Sequence, residues 1–181
     1  PSSAVRSTAK LFSPVVKEGT IIVSLTKGIE RTTGFLMTEV IKDVIPLSEV
    51  AVLSGPSHAE EVAMGKITGL IAASFHHRNA IKVRNLLRVP GIMAYASFDT
   101  VGVQVCAAAK NVIAVVYGAL DALSESSPIF GDNTESLVMA AGLNEIQKIG
   151  FAMGATYAET FTSISGVGDL DVTCKSKYGR N

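Results

Sequence analysis

The sequence predicts an α/β first half, residues 1–97, followed by an all-helical second half, residues 98–181. Two observations carry this division: short apolar runs of strand length alternate with helical stretches up to Ser97, and no strand pattern recurs from Asp99 onward. A third is the run VQVCAAAKNVIAVVYGAL from Val103 to Leu120, which is too long for a strand and reads as a core helix.

Taken in order, Ser3–Phe12 reads as a helix and Thr20–Thr26 (TIIVSLT) as the first strand. Gly34–Val44 is helical, Val50–Gly55 (VAVLSG) a strand, and Ser57–Met64 a short helix opened by the S-x-x-E spacing of a capping box at Ser57 and Glu60. Thr68–Ser74, a helix over Asn79–Leu87 and the strand Gly91–Ser97 complete the first half. Such continuously apolar strands suit a parallel or mixed sheet covered on both faces. In the second half Asp99 or Thr100 caps a helix reaching Leu120, Asp132 to Thr134 supply caps for a second that ends before Gly154, and a third starts at Thr156.

Composition narrows the function classes. At 181 residues and 48% hydrophobic, the chain has enough apolar side chains for one core or two small ones. Sixteen basic residues balance sixteen acidic ones, so there is no global basic field for nucleic acid, and any anion site must be local. Cys106 and Cys174 lie far apart without metal spacing, which predicts buried thiols in a reducing compartment and no metal site. His76 and His77 lack further ligands at useful spacing and read as surface residues. Nothing at the start has the form of a signal peptide. Gln104, Lys110 and Asn111 interrupt the long apolar run, and a central lysine alone costs about 2.5–3.5 kcal/mol on membrane insertion, so a core helix is favoured.

Lys110 is the most informative residue. A buried ammonium costs several kcal/mol unless it is paired or reached by a cleft, and a desolvated lysine loses basicity toward the range that proton transfer needs. Packing of its stem with the head turned to solvent is the structural alternative. Asn111 follows it and stands about 100° further round a helix. Lys27, in Ser24-Leu-Thr-Lys-Gly-Ile-Glu30, falls at the carboxyl end of a predicted strand, the edge at which open α/β sheets bind ligands. In Ser54-Gly-Pro-Ser-His-Ala-Glu-Glu61, Gly55 permits close approach to the backbone and Ser57 stands at a helix start. The last cluster runs from Gly166 through Asp169, Asp171 and Thr173 to Arg180 and Asn181; Asp169 and Thr173 share a face if helical, and Arg180 offers a fork suited to phosphate. Its Gly166-Val-Gly-Asp-Leu-Asp171 start mimics a nucleotide-binding glycine turn, but it follows a helical segment and reads as a loop. No true GxGxxG turn follows any strand, and the chain reads as a fragment at both ends.

Five segments occur together: SLTKGIE, LSGPSHAEEVAMG, VGVQVCAAAKNVIAVVYG, GDNTESLVMAAGLNEI and GVGDLDVTCKSKYGRN. In that order and approximate spacing the chain resembles NAD(P)-dependent glycerol-3-phosphate dehydrogenases over nearly its whole length. The resemblance implies the later part of a Rossmann-like nucleotide-binding α/β domain, followed by an all-helical substrate domain of the 6-phosphogluconate-dehydrogenase-like kind. It implies NAD or NADP as cofactor, a small phosphorylated substrate, a cytoplasmic homodimer, and a place in glycerophospholipid synthesis.

By the same resemblance Lys110 is the proton donor and acceptor, and Lys27 meets both substrate and cofactor. Gly55, Ser57, Asn111, Asp169, Thr173, Arg180 and Asn181 surround the substrate, while Ala59 and Arg180 meet the cofactor. Three positions depart from the family pattern: His58 where phenylalanine is common, Gln104 where glutamate is common, and Gly179 where bacterial members often have serine. The last removes a possible hydroxyl contact to the substrate. Two other readings of the same residues stay open. One is another lysine-dependent hydroxyacid or sugar-acid dehydrogenase of this architecture; the other is a non-catalytic nucleotide- or phosphate-binding fragment in which Lys110 pairs with a carboxylate.

Overall fold

The computed structural model of the chain describes residues 1–176. Its sheet has four strands in the order β1 (Ile21–Ser24), β2 (Glu49–Ser54), β3 (Thr68–Ala73) and β4 (Ile92–Ser97). β1 and β2 are parallel, β3 runs antiparallel to β2, and β4 is parallel to β3, so the sheet is mixed. All four predicted strands are present. The helices are α1 (Val5–Phe12), α2 (Met37–Val44), α3 (Ala59–Ala63), α4 (His77–Leu86), α5 (Thr100–Ser124), α6 (Asp132–Ala152), α7 (Glu159–Thr162) and α8 (Asp169–Lys175).

The period-two geometry of a strand explains how the apolar runs are used. In β2 and β3, Ala51, Leu53, Leu70 and Ala72 face one way and pack with Val83 of α4. Val52, Ile71 and Ala73 face the other way and pack with Val103 of α5. Both faces are covered, which is why these strands are apolar at every position rather than at alternate ones. A separate cluster of Leu36, Val105, Cys106, Ile146, Ala155 and Phe161 forms the helical core.

Helix α5 fixes the position of Lys110. Asp99 caps it by accepting the Gly102 N–H at 2.9 Å, as the sequence predicts, and the same carboxylate accepts Thr160 Oγ1 at 2.7 Å. The start of α5 is therefore locked to α7. Gln104, one turn on, is buried and reaches α2: its Oε1 accepts the Thr38 N–H at 3.0 Å, while Nε2 donates to Thr38 Oγ1 and to Thr100 O, each at 2.9 Å. α5 is long and apolar enough to cross a membrane, yet it packs on α6, α8 and β2, and Lys110 points into that packing.

Several local expectations are corrected. Ser57 and Glu60 form no capping box; His58 occupies the N-cap of α3, and Ser57 Oγ donates instead to Gly55 O at 3.1 Å. Gly131, not a side chain from Asp132 to Thr134, stands at the N-cap of α6; Asp132 begins the helix and still favours its positive end. The helix expected from Thr156 is the single turn α7. The Gly166–Asp171 stretch is no loop: Ile164–Gly168 is a wide π turn that leads directly into α8. Tertiary packing holds that turn, since Ile164 sits against the sheet and Ser165 and Gly166 are buried. Cys106 is buried as expected, whereas Cys174 is only half-buried. His76 and His77 are exposed.

Candidate active site

Lys27 comes three residues after β1 ends, in the loop at its carboxyl edge, and Gly55 directly follows β2 at the same edge. Gly55 has φ 147°, and a Cβ there would stand 2.5 Å from Gly69 O of β3, so a side chain is excluded by strand packing as well as by backbone conformation. Opposite this edge, α5 presents Lys110 and α8 presents Asp169 and Thr173.

These elements meet at one carboxylate. Asp169 Oδ1 accepts from Lys110 Nζ at 2.5 Å, and Oδ2 accepts from Lys27 Nζ at 2.7 Å. Lys110 also donates to Thr173 Oγ1 at 2.8 Å, and that hydroxyl donates to the Asp169 backbone carbonyl at 2.6 Å. Lys27 donates further to Gly55 O at 3.4 Å. Each ammonium has three N–H groups, and among the described residues each uses two. The spacing of Asp169 and Thr173, one helical turn, is what lets a carboxylate and a hydroxyl hold the same amine.

The charge arrangement is asymmetric. Asp169 is 1% exposed and the Lys110 side chain 9%, while that of Lys27 is 28% exposed. Two positive groups share one negative group, so the cluster carries a net positive charge, with Lys27 its more exposed member. Burial lowers the proton affinity of Lys110, the Asp169 carboxylate opposes that, and the Lys27 charge adds to it; the balance takes its pKa down to about 8. A lysine poised there can both give and take a proton near neutral pH. An exposed ion pair would leave a lysine fully protonated; burial first, and the second cation after it, make the difference.

The other expected site residues are distributed as follows. Ser57 is half-buried beside Gly55, and Ala59 is exposed at the start of α3. Asn111 lies on the exposed side of α5, turned from the buried edge that holds Lys110. Arg180, Asn181 and Gly179 lie outside the described residues. Asp169 and Thr173, expected to surround a substrate, hydrogen-bond to the lysines, Asp169 to both and Thr173 to Lys110. The sequence carried a signal for this: a lone buried ammonium requires an acceptor, and Asp169 with Thr173 on one helical face is such an acceptor. The sequence reading passed over Arg6, which grips the segment bearing Lys27 through Glu30 at 2.8 Å.

Among the described residues, no three His, Cys, Asp or Glu side chains are gathered to hold a metal ion. A family model for the N-terminus of NAD-dependent glycerol-3-phosphate dehydrogenase matches residues 1–80, and the C-terminal model of the same family matches residues 99–181. The chain belongs to this dehydrogenase family. Glycerol-3-phosphate dehydrogenase [NAD(P)+] of Treponema denticola is 58% identical over 166 residues, covering 88% of this chain and 46% of that protein. The protein of the same name from Clostridium botulinum is 42% identical over 181 residues, 100% of this chain and 53% of its own length. The crystal structure of glycerol-3-phosphate dehydrogenase from Coxiella burnetii superposes with a TM-score of 0.88 at 29% identity, over 98% of this chain and 52% of that one. The chain thus spans about half the length of the dehydrogenases it matches, and its mixed sheet followed by helices is the corresponding part of their fold.

Proposed function

We propose that these residues are the proton-transfer part of an enzyme that interconverts glycerol 3-phosphate and dihydroxyacetone phosphate with NAD or NADP. The observation that carries this is the convergence of Lys27 and Lys110 on Asp169. In this reading residues 1–97 belong to the nucleotide-binding domain and 98–181 to the substrate domain, so the lysine pair joins one to the other. A cytoplasmic homodimer acting in glycerophospholipid synthesis is the setting that the family suggests.

The residues present fit one edge of a dinucleotide site. Lys27 is a partly exposed cation at the carboxyl end of a parallel strand, where such ligands cross an α/β sheet. Ala59, at the neighbouring strand edge, and Arg180 would complete this contact. Bound there, the nicotinamide cofactor would supply the hydride-transfer chemistry at the substrate carbon. Lys110 gives a proton to the ketone oxygen of dihydroxyacetone phosphate as charge develops there, and takes it back from the hydroxyl in the other direction. Lys27 stabilises the same negative charge and adds to burial in keeping Lys110 acidic enough to donate. Asp169 and Thr173 hold the Lys110 amine in place, which limits the motion lost on reaching the transition state. Gly55, Ser57, Asn111 and Asn181 would line the substrate, and Arg180 would take its phosphate through a bidentate fork.

The test is Lys110→Ala in an enzyme of full family length that contains these residues. Turnover is expected to fall by a factor of about 10² to 10⁴, the usual contribution of acid–base catalysis, with cofactor affinity little changed. Lys110→Arg is expected to fail similarly, because guanidinium does not release its proton at such pH. Near-normal turnover in either variant refutes the assignment.

A further inference from the structure

The loop that carries Lys27 is held by one guanidinium from α1. Arg6 Nε and Nη2 each lie 2.8 Å from the two carboxylate oxygens of Glu30, and Nη1 lies 2.5 Å from Asp43 Oδ2 of α2. Thr33 Oγ1 donates to Glu30 Oε2 at 2.6 Å, so the carboxylate is fixed from two sides. The Arg6 guanidinium holds the Glu30 carboxyl down to about 2, far below the usual carboxylate range.

Glu30 stands three residues after Lys27, and the segment between them is also seated on the approach to α1. Gly28 has φ 138°, and a Cβ there would meet Ser2 Cβ at 2.8 Å. Ile29 pairs with Leu36 across an isolated bridge and packs toward the helical core. One end of the segment therefore ends in the Lys27 ammonium at Asp169, and the other ends in the Glu30 carboxylate at Arg6. A partly exposed ion pair contributes little to stability as a rule. A bidentate fork nonetheless specifies direction and distance, which a lone charge pair does not.

The geometry points to Arg6 and Glu30 as positioning residues that set where the Lys27 ammonium stands relative to Lys110. This rests on the reading of the two lysines as the proton-transfer pair. Arg6 touches neither lysine; it acts through the Lys27–Glu30 segment. When the clamp is released, Lys27 is expected to lose its register with Asp169, and Lys110 to lose the neighbouring charge that keeps it acidic.

The experiment is a double-mutant cycle in the full-length enzyme, with glycerol 3-phosphate oxidation as the readout. Arg6→Ala is expected to lower kcat about tenfold with Lys27 present, and by less than about twofold in a Lys27→Ala background. The midpoint of the rising limb of the oxidation profile, which Lys110 sets, is expected to move to higher pH in Arg6→Ala, as it does in Lys27→Ala, and Arg6→Lys to recover part of the loss. Equal losses in both backgrounds, with an unmoved pH profile, overturn the positioning role and leave the lysine assignment standing. Normal turnover of Lys27→Ala overturns both. If Arg6→Ala fails to fold, the near-isosteric Glu30→Gln enters the same cycle with the same expected and overturning outcomes.

Discussion

Lys110 and Asp169 stand 59 positions apart in sequence, yet the ammonium of one lies 2.5 Å from the carboxylate of the other. Because Asp169 accepts at its second oxygen from Lys27, it is the common counter-charge of both cations rather than the partner of one. Four expectations follow from that arrangement and from the packing that supports it.

Asp169→Asn keeps the shape of the side chain and removes its charge, leaving two facing ammoniums without compensation. Breaking a buried pair in this way costs about 3 kcal/mol. Chemical denaturation of the full-length enzyme is expected to show a loss of that size, and turnover is expected to collapse with it. A variant with native stability would show that the carboxylate does not offset the buried charge.

The proton affinity of Lys110 sets the pH dependence. Burial and the Lys27 charge bring its pKa down to about 8, so the neutral amine, which in the proposed reaction is the base for glycerol 3-phosphate oxidation, accumulates as pH rises through that value. Oxidation is expected to accelerate up to and beyond pH 8. Reduction of dihydroxyacetone phosphate, which needs the ammonium as acid, is expected to decline over the same interval. Lys27→Ala removes a like charge, so both limbs should move to higher pH. Profiles that keep their midpoints in this variant would exclude electrostatic coupling between the lysines.

Gln104→Glu tests the lock between α2 and α5. The amide nitrogen of Gln104 donates to two oxygens, Thr100 O and Thr38 Oγ1, and a carboxylate would face the Thr100 carbonyl with no proton to give. Burial raises the pKa of such an acid above its unfolded value. The destabilisation is therefore small below the unfolded pKa and grows as pH rises toward the folded one, reaching about 1–3 kcal/mol. Denaturation midpoints of the two proteins that stay parallel from acid to neutral pH would contradict this.

Gly142→Ala tests the crossing of α5 and α6. A Cβ at Gly142 would stand 2.6, 2.8 and 2.9 Å from three side-chain atoms of Ile113. The branched side chain of Ile113 has one strongly preferred rotamer in a helix, so it cannot swing aside cheaply. Overpacking is expected to cost about 1–3 kcal/mol, and Ile113→Ala in the same molecule should recover part of it. A lone Gly142→Ala protein as stable as the parent would show that the helices can separate freely.

Much of the fold could be read from side-chain pattern because the pattern is local. Strands covered on both faces need apolar residues throughout, and Val50–Gly55 and Thr68–Ser74 announced β2 and β3 for that reason. Asp99 and Thr100 announced the start of α5 as candidate caps, and it is the Asp99 carboxylate, one turn before Gly102, that accepts its N–H. The misreadings share a cause. Ser57 had the spacing of a cap, but Gly55 O competed for its hydroxyl; Gly166 and Gly168 looked like a loop, but packing of Ile164 on the sheet and burial of Ser165 and Gly166 hold them in a π turn. Neighbours far away in sequence decided both.

By itself the sequence determined the four strands, the long helix, and that Lys110, an isolated cation among apolar residues, had to find either an acceptor or a way to solvent, since desolvation makes a bare ammonium too costly to leave in a core. It also placed Lys27 at the carboxyl edge of the sheet. Tertiary structure alone decided that one carboxylate serves both amines, because the distance between Lys27 and Asp169 is set by how α8 packs on α5 and by the preceding turn seated on β3, and no local periodicity encodes that. The same packing decided that Asp169 and Thr173 grip the lysines and that Arg6 holds the loop which brings Lys27 to them.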